Sequence, residues 1–440
     1  MKKSLFTLAA MGAFAGAAQA QSSVTVYGIL DVGYVGGNAK ATTINSTGGQ
    51  IAPAETVSLI GQSAQTTSRL GFRGTEDLGG GLTAFFTFET GLQPNQSTLS
   101  PFNNRQAFIG LGQKGMGNAR IGTQYTPIHE AVAVTGANQQ NNLVGDAIYP
   151  QNTGLTNRDG SSSNANAGYT VRSNNMIRLE TESFSGLKGK AFLVQNARND
   201  DQTTYSASSG ATSGTNRYVS GLGYTGGNTN TTGWGVGADF NMKQFLLSAN
   251  YQSFNYENSW TSQTTLSLVS TDTAAGAGGT TTTTNVVTRS TAAQSGRLTN
   301  LTDNQWYVGA AYDFGILKAY AQYINRKVTS GLDSSIYESR TAQQLGVRGN
   351  LTKTIELWGS AGMGRYQAFG TGNPTADFTA YQIGSNYWLS KRTNLYAIFG
   401  ASNTSQTSGN VYVLSTGANS SARVSSANAN NYAVGVRHTF

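Results

Sequence analysis

Apolar and polar residues alternate with a period of two along most of the chain. Successive side chains of a strand point to opposite sides, so this pattern predicts strands with one apolar and one polar face. In one segment Leu82, Ala84 and Phe86 share a face, and Thr83 and Thr87 fall on the other. Sixteen segments are predicted to be strands, at residues 24–35, 68–76, 82–91, 105–112, 118–125, 175–183, 188–197, 232–240, 245–254, 305–313, 317–327, 343–350, 354–367, 378–388, 392–401 and 431–440.

The connections between these segments are of two kinds, seven tight turns and eight longer polar loops. Short turns on one side and long loops on the other are typical of outer-membrane barrels, and an even strand number brings both termini to one side. We therefore predict an all-β fold, a transmembrane antiparallel β-barrel of 16 strands with a polar, water-filled lumen. Residues 217–225 fit either a strand in place of 232–240 or part of a long external hairpin.

The N-terminal residues have the three regions of a secretory signal peptide. Lys2 and Lys3 precede an apolar run at 5–18, and the small-residue site Ala18-Gln19-Ala20 follows. That run is shorter than the roughly 20 residues needed to span a bilayer as a helix. We expect cleavage near Ala20, which makes residues 1–20 a signal peptide and 21–440 the barrel. The mature net charge would be +6, two below the +8 of the whole chain.

Composition agrees with a strand-rich membrane protein rather than a helical one. The chain has 55 Gly, 21 Tyr and 18 Phe, only 6 Pro, and 11% charged residues. Aromatic and glycine-rich sequences of this kind suit barrels with aromatic residues at both membrane interfaces. Cysteine is absent, which is compatible with transit through an oxidising periplasm.

Five short motifs, taken together and in this order, resemble the general diffusion porins of Gram-negative bacteria, specifically the β-proteobacterial type. They are SSVTVYGILD at 22–31, SRLGFRGTEDLGGGL at 68–82, NRQAFIGL at 104–111, GTQYTP at 122–127 and GVRHTF at 435–440. The resemblance implies a homotrimer of sixteen-stranded barrels, in which the third external loop, here 127–173, folds into the lumen. It also implies that Phe440 ends a terminal strand read by the barrel-assembly machinery and paired with the first strand.

Family porins place basic side chains of the wall opposite acidic side chains of this loop. The resemblance carries the basic set of the pore constriction onto Arg69, Arg105 and Arg172, and the acidic set onto Glu130 and Asp146. Guanidinium groups in a narrow wet pore attract anions and keep their charge near neutral pH. The alternation adds further lumen charge at Arg73, Arg120 and Arg178, whereas the face of Arg105 is ambiguous because Phe108 and Ile109 are adjacent apolar residues.

Other chemistry is weakly supported by the sequence. The GLGQKG run at 110–115 lies between strands, without the helix N-terminus that a nucleotide phosphate needs. His129 and His438 are the only histidines, so a hydrolytic Ser-His-acid site would have to use His129, and no metal site or cofactor is expected. Basic residues are spread over the strands, which argues against nucleic acid as a partner.

The expected function is passive diffusion of small hydrophilic solutes and ions through the bacterial outer membrane, in contact with its lipid and with a mild anion preference. A channel specific for one anionic solute is the nearest alternative. A surface adhesin or an outer-membrane hydrolase on a similar barrel belongs to a different class.

Overall fold

The computed structural model of the protein covers nearly all of the predicted strands. The residues it describes are 23–44, 50–51, 54–100, 102–151, 168–198, 203–206, 222–225, 229–258, 264–269, 286–291, 300–331, 334–335, 337–368, 375–405, 411–413, 418–420 and 423–440. The predicted signal peptide lies outside them. No helix in this part of the chain is long and apolar enough to cross a membrane.

Twenty-four strands and one helix follow each other in the described ranges. They are β1 (Ser23–Ile44), β2 (Gln50–Ile51), β3 (Ala54–Gln62), β4 (Arg69–Gly79), β5 (Leu82–Gly91), β6 (Asn104–Gln113), β7 (Gly117–Tyr125), α1 (Pro127–Val134), β8 (Arg172–Thr181), β9 (Leu187–Arg198), β10 (Thr203–Ser206), β11 (Leu222–Thr225), β12 (Thr229–Met242), β13 (Phe245–Asn258), β14 (Thr264–Val269), β15 (Val286–Thr291), β16 (Leu301–Asp313), β17 (Leu317–Ser330), β18 (Tyr337–Asn350), β19 (Ile355–Ala368), β20 (Thr375–Trp388), β21 (Thr393–Thr404), β22 (Val411–Val413), β23 (Ala418–Ser420) and β24 (Arg423–Thr439).

The main sheet closes on itself through its first and last strands. β1 pairs antiparallel with β24 from Ile29↔Thr439 to Ile44↔Arg423, as predicted for the terminal strand. On its other edge β1 pairs first with β4 and then with β3, so these two strands occupy one position of the barrel. The two-residue β2 pairs with β1 in register with β3 and so extends β3. The main sheet is therefore a closed antiparallel barrel of 16 strand positions, which confirms the predicted fold. Closure leaves no sheet edge unpaired in the membrane.

The two faces of the barrel follow the predicted alternation. In β20, Tyr381 and Ile383 are 50% and 59% exposed on the outer surface, whereas Gln382 and Asn386 are 0% and 1% exposed on the inner one. Apolar residues therefore face lipid and amide side chains face the lumen. A charge on the lipid side near the midplane would cost about 2–4 kcal/mol, which favours this orientation.

Three short hairpins extend beyond the main sheet, formed by β10–β11, β14–β15 and β22–β23. The ambiguous segment is thereby divided: β12 occupies the barrel position, and Leu222–Thr225 belongs to the β10–β11 hairpin. Residues 217–221 lie outside the described ranges.

The second barrel position differs from the prediction. We expected a strand at 68–76 preceded by a loop, but β3 extends that position, and residues 63–68 between β3 and β4 turn into the lumen. We call residues 63–68 the inward segment. The alternation in 54–62 is hard to recognise because its outward positions include Thr56 and Ser58 as well as Ile60.

Candidate pore constriction

The third loop, which joins β7 to β8, lies inside the barrel. It begins with α1, whose first turn is set by Pro127 and capped by Thr126, the side chain of which accepts a hydrogen bond from the His129 N–H. Proline at the first turn and threonine at the cap are favourable because the N–H groups there lack partners within the helix. Ile128, Ala131 and Val132 of α1 are fully buried. The described part of this loop therefore confirms the predicted fold into the lumen.

Neutral amides of the barrel wall hold the loop backbone. Gln382 Nε2 donates to the carbonyl oxygens of Leu143 and Val144 at 2.9 and 2.8 Å. The Ala147 N–H donates to Gln344 Oε1 at 2.8 Å. These bonds attach the loop to β18 and β20.

The start of the loop is held by a buried charge network instead. The guanidinium of Arg178 is 0% exposed and contacts both Glu130 of α1 and Glu180 of the wall. Arg120 Nη2 lies 2.9 Å from Glu180 Oε1 and 3.5 Å from Glu130 Oε1, and Lys188 completes the network. Glu130 therefore neutralises Arg178 and Arg120 and makes no described ion pair with Arg69, Arg105 or Arg172.

This network corrects two assignments. Glu130 was expected opposite the constriction arginines, but its place in the first turn of α1 directs it to the β7–β8 wall. Arg178 and Arg120 were expected to be general lumen charge, yet both are largely covered by α1 and paired with carboxylates. Of the three additional arginines only Arg73 is exposed on the lumen side, with its guanidinium 5.4 Å from the centre of the Tyr27 ring.

Arg69, Arg105 and Arg172 do come together, around Glu89 and Tyr125. Arg105 Nε donates to Glu89 Oε1 at 2.8 Å, and Arg69 Nη1 lies 3.6 Å from the same oxygen. Arg105 Nη2 also donates to the Tyr125 hydroxyl at 2.7 Å, and the Arg172 guanidinium lies 5.8 Å from the centre of the Tyr125 ring. Three cations and one anion give this cluster a formal charge of +2. We call these four charged residues and Tyr125 the arginine cluster.

A β-bulge settles the orientation of Arg105. Glu89 pairs with Gln106 and Thr90 with Asn104, so Arg105 is the extra residue on its strand. Strict alternation would place Arg105 on the outer face with Ile109, which is 61% exposed. Bulges redirect side chains next to functional sites, and here the bulge brings Arg105 into the lumen.

Asp146 does not face the arginine cluster. Its Oδ1 accepts hydrogen bonds from the N–H groups of Ile148 and Tyr149 at 2.7 and 2.9 Å, and Oδ2 accepts one from Asn138 Nδ2 at 2.6 Å. Burial raises the pKa of Asp146, while these hydrogen bonds oppose the rise. A short acidic side chain that bonds N–H groups two and three residues ahead stabilises a turn. The expected role of Asp146 in the constriction is therefore replaced by a structural role within the loop.

His129 belongs to an aromatic group rather than to a catalytic one. Its ring lies 4.5 Å from that of Tyr125 and about 6 Å from those of Tyr149 and Tyr169. Its Nδ1 contacts the Tyr169 hydroxyl and Gln140, and no carboxylate is among its described partners. Burial and the positive charges of Arg105, Arg172 and Arg69 hold the pKa of His129 well below its usual range. A Ser-His-acid arrangement is absent from the described contacts of this histidine.

Two functional side chains were missed in the sequence, Glu89 and Tyr125. Glu89 had a usable signal, since it falls on the polar face of β5 opposite Phe86 and Phe88. Tyr125 had none, because a tyrosine at a strand end resembles an ordinary interface residue. Within the described ranges, no group of three or more His, Asp or Glu residues could hold a metal ion.

Phe440 lies where closure of the barrel needs it. Its N–H and carbonyl oxygen each form a 3.1 Å hydrogen bond with Gly28. A Cβ added to Gly28 would lie 2.3 Å from the Phe440 ring, so glycine provides the space for the ring on the outer surface. A role of Phe440 in assembly stays a prediction.

The fold and the lumen define a transmembrane barrel with a basic constriction, and comparison with known proteins identifies its family. A family model described as Gram-negative porin matches residues 7–323 and 261–407. The chain belongs to the Gram-negative porin family, and its location is the bacterial outer membrane.

Individual relatives agree with this family. The chain is 32% identical over 196 residues to an outer membrane porin protein of Bordetella pertussis, which covers 43% of this chain and 46% of that protein. It is 41% identical over 128 residues to outer membrane porin protein 32 of Delftia acidovorans, covering 29% of this chain and 33% of that protein. The matched segments thus span less than half the length of these relatives. Among solved structures, an anion-selective porin from Comamonas acidovorans matches with a TM-score of 0.57 and 18% identity, covering 96% of this chain and 100% of that one.

Proposed function

We propose that the chain forms a water-filled channel through which small hydrophilic solutes and ions diffuse passively across the outer membrane, with a preference for anions. No bond is made or broken in this function. The observation that supports it most is the arginine cluster, in which three guanidinium groups accompany one carboxylate: Arg69 and Arg105 contact Glu89, and Arg172 lies over Tyr125. Glu130 and Asp146 contact other groups, so among the described residues Glu89 is the one carboxylate that forms ion pairs with these arginines.

The physical basis of the preference is the confinement of charge. Arginine keeps its charge over the whole usable pH range, and low-dielectric barrel walls concentrate the field in the lumen. A few fixed charges at a narrow point therefore influence passing ions more than many distant surface charges. Arg73, exposed further along the wall, adds to the same field. The fold is shared with the anion-selective porin from Comamonas acidovorans.

The proposal also covers assembly and processing of the chain. We infer a homotrimer in contact with outer-membrane lipid, inserted by the barrel-assembly machinery after removal of a signal peptide near Ala20. The apolar outer face and the terminal position of Phe440 in the closing strand support these steps.

Planar lipid bilayers provide the test. The purified chain should produce stepwise conductance increases, and a KCl gradient should give a reversal potential on the anion side. Current that grows in proportion to salt concentration is expected of a diffusion channel, whereas saturation with one organic anion would indicate the solute-specific alternative. Absence of conductance steps from folded, inserted protein would contradict the proposal.

A further inference from the structure

The YGILD motif and the SRLGF motif meet inside the barrel, at a contact that the proposed function does not use. Asp31 of the first motif is 0% exposed, although it is charged and lies on the lumen face of β1. Ser68 and Arg69 of the second motif adjoin it, at the end of the inward segment. We propose that Asp31 positions the constriction by fixing the inward segment, which in turn holds Arg69 and the third loop. This inference rests on the proposed function, because its effect is on ion selectivity.

The Asp31 carboxylate is the main acceptor for the inward segment. Oδ2 accepts hydrogen bonds from the backbone N–H groups of Gln65 and Thr66 at 2.8 and 2.6 Å. Oδ1 accepts one from the Tyr396 hydroxyl at 2.6 Å. An ionised carboxylate accepts on both oxygens, and bonds to it are stronger than bonds to a neutral amide, so the site favours aspartate over asparagine.

The backbone of Asp31 strengthens this attachment at both ends of the segment. The Ser63 N–H donates to the Asp31 carbonyl oxygen at 2.8 Å. The Asp31 N–H donates to Ser68 Oγ at 3.0 Å. One residue thus holds the beginning, the middle and the end of the inward segment.

The position of the inward segment determines the position of Arg69 in the arginine cluster. Arg69 Nε donates to the carbonyl oxygen of Thr67 at 3.0 Å, which directs its guanidinium toward Glu89. Because Thr67 directly follows the two residues held by the Asp31 carboxylate, displacement of the segment displaces this acceptor. Arg69 would then lose its only described hydrogen bond and keep the longer 3.6 Å contact with Glu89.

The same segment also binds the third loop directly. Asn142 donates its backbone N–H to the Ala64 carbonyl oxygen at 3.0 Å. Its Nδ2 donates to the Ser63 carbonyl oxygen at 2.7 Å and to Thr67 Oγ1 at 3.0 Å. Asp31 therefore acts on two borders of the lumen through one short stretch of chain.

Arg437 is a second charged residue at this site, since it is the register partner of Asp31 on β24. Its guanidinium approaches Thr66 Oγ1 at 3.5 Å and lies 5.4 Å from the centre of the Trp388 ring. Removing the Asp31 charge alone would leave Arg437 less compensated and would make the lumen more positive. Simple electrostatics therefore predicts a higher anion preference for Asp31→Asn.

Displacement of the inward segment instead predicts a lower anion preference for Asp31→Asn, and this difference in direction is the test. In Asp31→Asn an NH2 group replaces one accepting oxygen, and the neutral oxygen that remains accepts more weakly than a carboxylate, so the segment and Arg69 should shift. We expect the anion-to-cation permeability ratio to fall about twofold, less than for complete loss of one guanidinium, because Arg69 is displaced and not removed. Tyr396→Phe, which removes one hydrogen bond and no charge, should lower the ratio less.

The measurement is the reversal potential of assembled trimers in planar bilayers under a modest KCl gradient. Asp239→Asn is the matched control, since Asp239 of β12 pairs with Lys190 of β9 and has no described contact with the inward segment. The control should keep or raise the anion preference. If Asp31→Asn does not assemble, Tyr396→Phe carries the test.

An assembled Asp31→Asn channel whose anion preference is equal to or above wild type would overturn the proposal, as would an unchanged Tyr396→Phe where only that variant assembles. A wild-type channel without anion preference would instead refute the proposed function. The two failures are therefore distinguishable.

Discussion

Glu89 is the single carboxylate of the arginine cluster, and its removal should increase anion preference. Glu89→Gln keeps the size of the side chain and one oxygen that can accept the hydrogen bond from Arg105. The hydroxyl of Tyr125 still accepts from Arg105, so we expect the arginine to stay in place. The formal charge of the cluster rises from +2 to +3.

The expected size follows from Coulomb's law. A unit charge about 8 Å from a passing ion contributes about 0.5 kcal/mol in bulk water and about 2 kcal/mol at an effective dielectric constant of 20. A value near the lower limit is appropriate for a wet pore. Because the anion is stabilised and the cation destabilised by this amount, the anion-to-cation permeability ratio should rise about fivefold. At about 1 M salt the effect should shrink, because the Debye length falls to about 3 Å.

Reversal potentials at low and high KCl provide the assay. Asp313→Asn is the control with the same change of charge, since Asp313 pairs with Lys318 at the exposed β16–β17 turn. It should leave the reversal potential close to wild type. A Glu89→Gln channel with unchanged or lower anion preference at low salt would refute the account of the arginine cluster.

Three further predictions concern assembly, loop anchoring and pH. Deleting Phe440 removes the last ring of the closing strand and should reduce heat-modifiable trimer on gels; wild-type trimer levels would contradict this. Glu130→Gln weakens the attachment of α1 to the buried Arg178 by about 1–3 kcal/mol, so single-channel records should show more frequent closures, whereas Lys318→Met at an exposed pair should not. The pKa of His129 is lowered in the folded barrel. Burial of the neutral ring therefore costs no stability above the ordinary histidine pKa of about 6.5, whereas the folded state loses stability as pH falls below that value, because the unfolded chain takes up the proton more readily. His129→Gln should therefore lose less thermal stability than wild type on acidification from pH 7 to 5, and equal losses would argue against a buried neutral histidine.

The barrel itself could be predicted from the sequence because its signal is repeated in every strand. Alternation over residues such as Tyr381, Gln382 and Ile383 fixes both the strand and its faces. The resemblance to porins carried the basic set onto Arg69 and Arg172, and the structure brings both to the arginine cluster. Pairing of the first and last strands followed from closure and needed no further information.

Three features could not be predicted from periodicity. The inward orientation of Arg105 depends on a bulge, whose position reflects pairing between two strands rather than either strand alone. Glu130 and Asp146 were assigned by analogy, but their partners depend on the path of the third loop through the lumen. That path is determined by amides distributed over distant strands, such as Gln344 and Gln382.

The central claim is that Arg69, Arg105 and Arg172 set the selectivity of the pore, and their joint replacement tests it most directly. Reversal potentials of wild type and of the Arg69→Ser, Arg105→Ser, Arg172→Ser triple variant should be compared under a modest KCl gradient at low salt. The account predicts a shift of the triple variant toward cations with equal or higher conductance. A triple variant that keeps the wild-type reversal potential would contradict it.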